Sequence, residues 1–116
     1  MKKLKYILPL ALILSSSFAQ AKISDEKAAK IANAIFQAEG GTNTAHPYGI
    51  LTKYKHTTPR QACLNTIRHQ HANWEAAGSH GDFIEFLGAA YCPVGAKNDP
   101  KNLNKNWVPN VKSFLK

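Results

Sequence analysis

Wherever apolar residues cluster between Ser24 and Leu115 they recur three or four positions apart, and no run alternates apolar and polar long enough to make a strand. That spacing gathers side chains on one side of an α-helix, so the chain is predicted to be all-α. The ends of the helices are legible too. Ser24 is a good N-cap, followed by Asp25 and Glu26 where the helix dipole favours acids, and the segment reaches Glu39 before Gly40-Gly41 stops it. Thr58-Pro59-Arg60-Gln61 is a second start, with a capping threonine, proline at the first helical position and a glutamine that completes a capping box. Cys63 or Leu64, Ile67 and Trp74 mark its apolar side, and Gly78 closes it. Ser79 and Asp82 open a third helix, whose predicted core stripe is Phe83, Phe86, Leu87, Ala90 and Tyr91, ended by Cys92-Pro93. A polar, turn-rich stretch from Val94 to Leu103 leads to a short last helix carrying Trp107, Val111, Phe114 and Leu115.

The first residues read as an export signal. Lys2, Lys3 and Lys5 precede an apolar run from Tyr6 to Leu14, and Ala19-Gln20-Ala21 is a small-x-small cleavage site. The run is too short to stay as a membrane anchor. Residues 1–21 are therefore expected to be removed, leaving residues 22–116 as one small domain in the periplasm or outside the cell. The leader holds three of the fifteen basic residues and none of the seven acidic ones, so the remaining chain carries a net charge of +5. This excess favours an anionic partner. Export argues against nucleic acid and for an anionic cell-envelope polymer, although a basic surface also serves solubility alone.

Cys63 and Cys92 both follow the leader. In an oxidising compartment two cysteines most simply form one disulfide, here closing a loop of roughly thirty residues worth about 3–4 kcal/mol. The rival reading makes Cys63 a thiol nucleophile and leaves Cys92 unpaired.

Glu39 is the main chemical candidate. Ile31, Ile35 and Glu39 stand four apart, so the carboxyl shares the face that two isoleucines direct inward. Burial raises a carboxyl's pKa and lets it hold a proton near neutrality, as a general acid requires. The alternative is a solvated glutamate at a helix end. A long loop follows, from Thr42 to Thr57, containing His46-Pro47-Tyr48-Gly49-Ile50. Loops of that length in small domains are functional or disordered, and the aromatic and aliphatic residues argue against disorder. Tyr48 reads equally as a ligand contact or a loop anchor. Competing constellations are thin: His69 and His71 point in different directions on a helix, no metal site is expected, and no phosphate loop or nucleophile elbow is present. Trp74 and Trp107 read as core.

The run Ala34-Ile35-Phe36-Gln37-Ala38-Glu39, then a loop, then Tyr48-Gly49-Ile50-Leu51, resembles the soluble-type lytic transglycosylases and goose-type lysozymes of the lysozyme-like superfamily. Asn65-Thr66-Ile67 with Trp74, and Phe83 to Tyr91, look like the later helices that close the same groove, so the resemblance spans Ser24 to Tyr91. It implies a small lysozyme-like helical domain and Glu39 as the catalytic glutamate. Tyr48, Gly49, Ile50 and Tyr91 would be substrate-binding residues along a peptidoglycan glycan strand, and the enzyme would act as a monomer with no cofactor. The chain departs from the family in having Gly40-Gly41 rather than serine after the glutamate. It also has Thr52 where glutamine is usual, and Ala89-Ala90-Tyr91-Cys92 in place of an Ala-Tyr-Asn-Ala-Gly motif.

Glycosidic cleavage usually employs two carboxyl groups. Asp25 and Glu26 stand about 20 Å up the helix from Glu39 at 1.5 Å per residue, and none of Glu75, Asp82, Glu85 and Asp99 is marked out by context. A one-carboxylate mechanism fits that shortage: in the lytic transglycosylases the glutamate serves as acid, then as base on the muramic acid's own 6-hydroxyl. Hydrolysis by water stays open beside it. The second functional reading is a non-catalytic envelope module that binds glycan or protein, since a fold alone does not fix a function.

Overall fold

The computed structural model describes residues 22–97, 99 and 101–116, all of them helix, turn or loop. The predicted leader, residues 1–21, lies outside them. Among the described residues four α-helices form: α1 (Asp25–Ala38), α2 (Pro59–Ala76), α3 (Phe83–Tyr91) and α4 (Trp107–Ser113). Short 3₁₀ turns at Gly41–Asn43 and Pro47–Gly49 shape the long loop after α1, and another at Leu103–Asn106 leads into α4.

The helices start where local chemistry satisfies their first N–H groups. The Ser24 hydroxyl accepts from Lys27 N at 3.1 Å, Thr58 from Gln61 N at 3.0 Å, and the Asp82 carboxylate from Glu85 N at 3.0 Å. The box at Thr58 is only half formed, because the Gln61 amide turns down the helix and donates to Asn65 Oδ1 at 2.8 Å.

The core lies where α1 meets α2 and α4 and where α3 packs on both. Its fully enclosed side chains are Ile35, Ile67, Leu87, Val111 and Cys63. Two predicted faces shift. On α3 the buried positions are Ile84, Leu87 and Gly88, while Ala90 is exposed. The stripe is thus rotated by about one residue, because α4 crosses at Gly88. A Cβ there would stand 2.7 Å from Val108 Cγ2 and 3.1 Å from the Trp107 ring, so glycine is what lets α4 lie against α3. On α2 the inward series is Cys63, Ile67 and His71. His71 sits edge-on to Phe83 with centroids 5.1 Å apart, and Trp74 is half-buried beside it.

The expected disulfide is not formed; Cys63 and Cys92 are separate free thiols. Cys63 is sealed in the first turns of α2, with the Tyr91 hydroxyl against it. Tyr91 is the last residue of α3, and Cys92, at φ −149° and ψ 68°, has already left the helix. The Tyr91 hydroxyl, not the Cys92 thiol, is the group against Cys63, and Cys92 is half-buried near Pro93 and Trp107. Burial pushes both thiols up to about 11, so neither is poised as a thiolate nucleophile.

Candidate active site

Glu39 is the residue on which α1 ends. Its N–H still bonds to Ile35 O at 2.9 Å, and Gly40 then turns left-handed at φ 110°. The helical spacing from Ile31 and Ile35, both buried, carries the Glu39 side chain to the edge of the core, where it is half-buried. Burial raises its pKa above the ordinary carboxylate value, and a hydrogen bond from Trp107 opposes part of that rise. In that bond Trp107 Nε1 donates to Glu39 Oε2 at 3.1 Å, across 68 positions of sequence.

The loop segment singled out from the sequence does come against this carboxyl. Gly49 has φ +70°, and a Cβ added to it would lie 2.5 Å from Glu39 Oε2 and 2.9 Å from Cδ. The family resemblance makes Gly49 a substrate-binding residue. The first atoms it clears space for are those of Glu39 itself.

Tyr48 is a loop anchor. Its ring is 7% exposed and lies 5.1 Å from Phe36, and its hydroxyl accepts from Arg60 Nη1 at 3.0 Å. The same Arg60 nitrogen donates to Asn33 Oδ1 at 2.9 Å, tying α2 to α1 beneath the loop. Tyr48 is also left-handed, at φ 62°, which is costly for a residue with a bulky side chain. The Tyr91 hydroxyl holds that conformation by donating to the Tyr48 carbonyl at 2.6 Å. Tyr91 therefore directs its polar end at the loop backbone. Its ring stacks on Trp107 with centroids 5.2 Å apart and planes 29° from parallel. Ile50 is half-buried and packs on the core, while Leu51 to His56 continue exposed.

Among the residues predicted for the site, Glu39 and Gly49 are in direct juxtaposition, with Tyr48 and Tyr91 bracing them from behind. Trp107 was missed. It reads as core, which is correct at 5% exposure, but its N–H is the one polar contact to the candidate acid's carboxyl among the described residues. The available signal was general: a buried indole N–H needs an acceptor, and Glu39 was the one acid placed on an apolar face.

Five of the other six acids are engaged elsewhere, and the sixth, Glu26, stands in the first turn at the far end of α1. Asp25 pairs with Arg68 at 2.9 Å, Asp82 and Glu85 share Lys112 at 3.3 and 3.5 Å, and Glu75 lies beside His71. Asp99 is buried and accepts from the N–H groups of Gly95, Leu103 and Asn104, organising the turn before α4. Among the described residues, two cavities lie away from the Glu39 carboxyl, and Glu39 lines neither. One, of about 610 Å³, is at the start of α1 between Lys27, Lys30, Trp74 and Phe83. The other, of about 500 Å³, runs between α3 and α4 past Cys92, Val94, Lys105 and Trp107. No helix among the described residues is long and apolar enough to cross a membrane. No protein-family model, curated protein or solved structure matches the chain.

Proposed function

We propose that this chain is an exported glycosidase that cleaves the β-1,4 bond between muramic acid and glucosamine units of peptidoglycan, with Glu39 as its single acid and base. The observation that carries the reading is the Glu39 carboxyl: half-buried, with a raised pKa, and, among the described residues, bonded to one neutral donor and paired with no cation. A carboxyl in that state holds a proton to higher pH than a free glutamate and can deliver it to a glycosidic oxygen.

In this reading Glu39 gives its proton to the bridging oxygen as the bond from that oxygen to the sugar C1 breaks. The leaving chain departs as an alcohol, and the Glu39 carboxylate faces the cationic sugar. The carboxylate then takes the proton of the muramoyl 6-hydroxyl as that oxygen bonds to C1, closing a 1,6-anhydro ring and restoring the acid. Water in place of the hydroxyl gives a reducing end by the same proton steps. The engagement of Asp25, Glu75, Asp82, Glu85 and Asp99 in other contacts supports the one-carboxylate form. Lys53, Tyr54 and Lys55, exposed on the loop that leads away from Gly49, suit an anionic glycan strand.

The test is mass analysis of fragments released from purified peptidoglycan by residues 22–116 and by their Glu39→Gln variant. Anhydro-muramoyl or reducing-end fragments from the native chain alone are expected. One observation favours the second reading, a glycan- or protein-binding module: of two cavities formed among the described residues, Glu39 lines neither. Retention on peptidoglycan with no fragments from either protein would establish that reading instead.

A further inference from the structure

We infer that the Trp107 indole N–H is the positioning group that keeps the acidic proton of Glu39 on Oε1. The catalytic consequence rests on the glycosidase reading; the geometry does not. Glu39 Oε2 accepts from the Trp107 N–H at 3.1 Å and lies close against Gly49, where an added Cβ would stand 2.5 Å from it. Oε1 has no protein donor among the described residues. A carboxylic acid that accepts a hydrogen bond does so best through its carbonyl oxygen, so the oxygen facing Trp107 is the acceptor and the proton sits on the other.

Trp107 is itself held firmly. It is buried, its ring is stacked on Tyr91, and it is seated over Gly88, where an added Cβ would press on the ring at 3.1 Å. Tyr91 is in turn tied to the Tyr48 carbonyl at 2.6 Å, next to Gly49. The donor to Oε2 and the Gly49 backbone close to it are thus parts of one braced unit. Its effect is to present Oε1 in a single orientation without a counter-charge that would strip the proton away.

The consequence is readable without catalysis. The chain has two tryptophans, and the second, Trp74, donates its Nε1 proton to the His80 carbonyl at 3.2 Å, which makes it an internal control. In ¹⁵N-labelled native protein titrated with acid and base, the Trp107 indole resonance should move with the midpoint of the Glu39 carboxyl carbon while Trp74 does not follow it. Glu39→Gln should abolish that movement. Trp107→Phe keeps a ring against Tyr91 but removes a donor that favours the carboxylate, so the Glu39 midpoint should rise. On peptidoglycan the same variant should lose about tenfold or more in kcat with little change in KM, and its basic limb should move to higher pH. A Trp107 resonance indifferent to the Glu39 titration overturns the inference. So does Trp107→Phe with an unchanged Glu39 midpoint and pH profile. If Trp107→Phe does not fold, the native titration decides alone. Coupled titration in a protein that releases no fragments leaves the positioning intact and removes the glycosidase reading.

Discussion

Replacing Gly49 with alanine tests the contact on which the site is built. The new Cβ would start 2.5 Å from Glu39 Oε2 and 2.9 Å from Cδ, while an ordinary carbon–oxygen contact needs roughly 0.8 Å more. The glutamate is a flexible side chain, so it should swing away rather than force the backbone apart. Swinging away breaks the bond from Trp107, worth about 1 kcal/mol net. Alanine at φ +70° adds about 1–2 kcal/mol of backbone strain. The expected loss of stability is therefore about 2–3 kcal/mol, and only the first part depends on Glu39. A double-mutant cycle with Glu39→Ala separates the two by denaturant unfolding: Gly49→Ala should cost about 1 kcal/mol less once the carboxyl is gone. Activity should fall further than stability, by about 100-fold, since a misplacement near 1 Å is enough for that. Equal stability costs in both backgrounds would refute the contact, and activity lost only in proportion to folded protein would refute its role in positioning the acid.

Glu39→Gln keeps the acceptor for Trp107 but carries no transferable proton, so peptidoglycan cleavage should fall about 10²–10⁴-fold with the fold retained, checked by fragment release and thermal melting. Because the folded-state pKa of Glu39 is raised, the folded chain binds more protons than the unfolded one. Stability should thus decline as pH rises from the ordinary glutamate range through the Glu39 midpoint, and the glutamine variant should lack that component. Activity should disappear on the same basic limb as the acid deprotonates. Titration with a thiol reagent should count two thiols in denatured protein, with Cys63 protected in the native state by burial and by a pKa near 11. Arg60→Leu removes the donor shared by Tyr48 and Asn33, so it should cost about 1–2 kcal/mol and loosen the Tyr48–Gly49 turn, seen as faster amide exchange there.

The helices and their starts were legible because their determinants are local. Ser24, Thr58 and Asp82 each bond a backbone N–H three residues on, and the glycines after Glu39 stop α1 whatever lies around them. Glu39 was legible as a candidate for the same reason: the spacing from Ile31 and Ile35 puts its carboxyl at the edge of the core without reference to any other element. Errors arose where a second helix intervenes. The α3 stripe is one residue off the expected face because α4 presses on Gly88, and the two cysteines stay free, with the Tyr91 hydroxyl rather than Cys92 against Cys63.

By itself, then, the sequence determined an all-α chain, the ends of its helices and the acid at the end of the first, since each depends on interactions within about four residues. The tertiary structure alone decided that the acid is bonded by Trp107, that Gly49 backs it, and that Tyr48 and Tyr91 brace the turn instead of lying open. Those contacts join residues 10 to 68 positions apart, and such pairs meet only after packing has chosen which faces of α1, α3 and α4 come together.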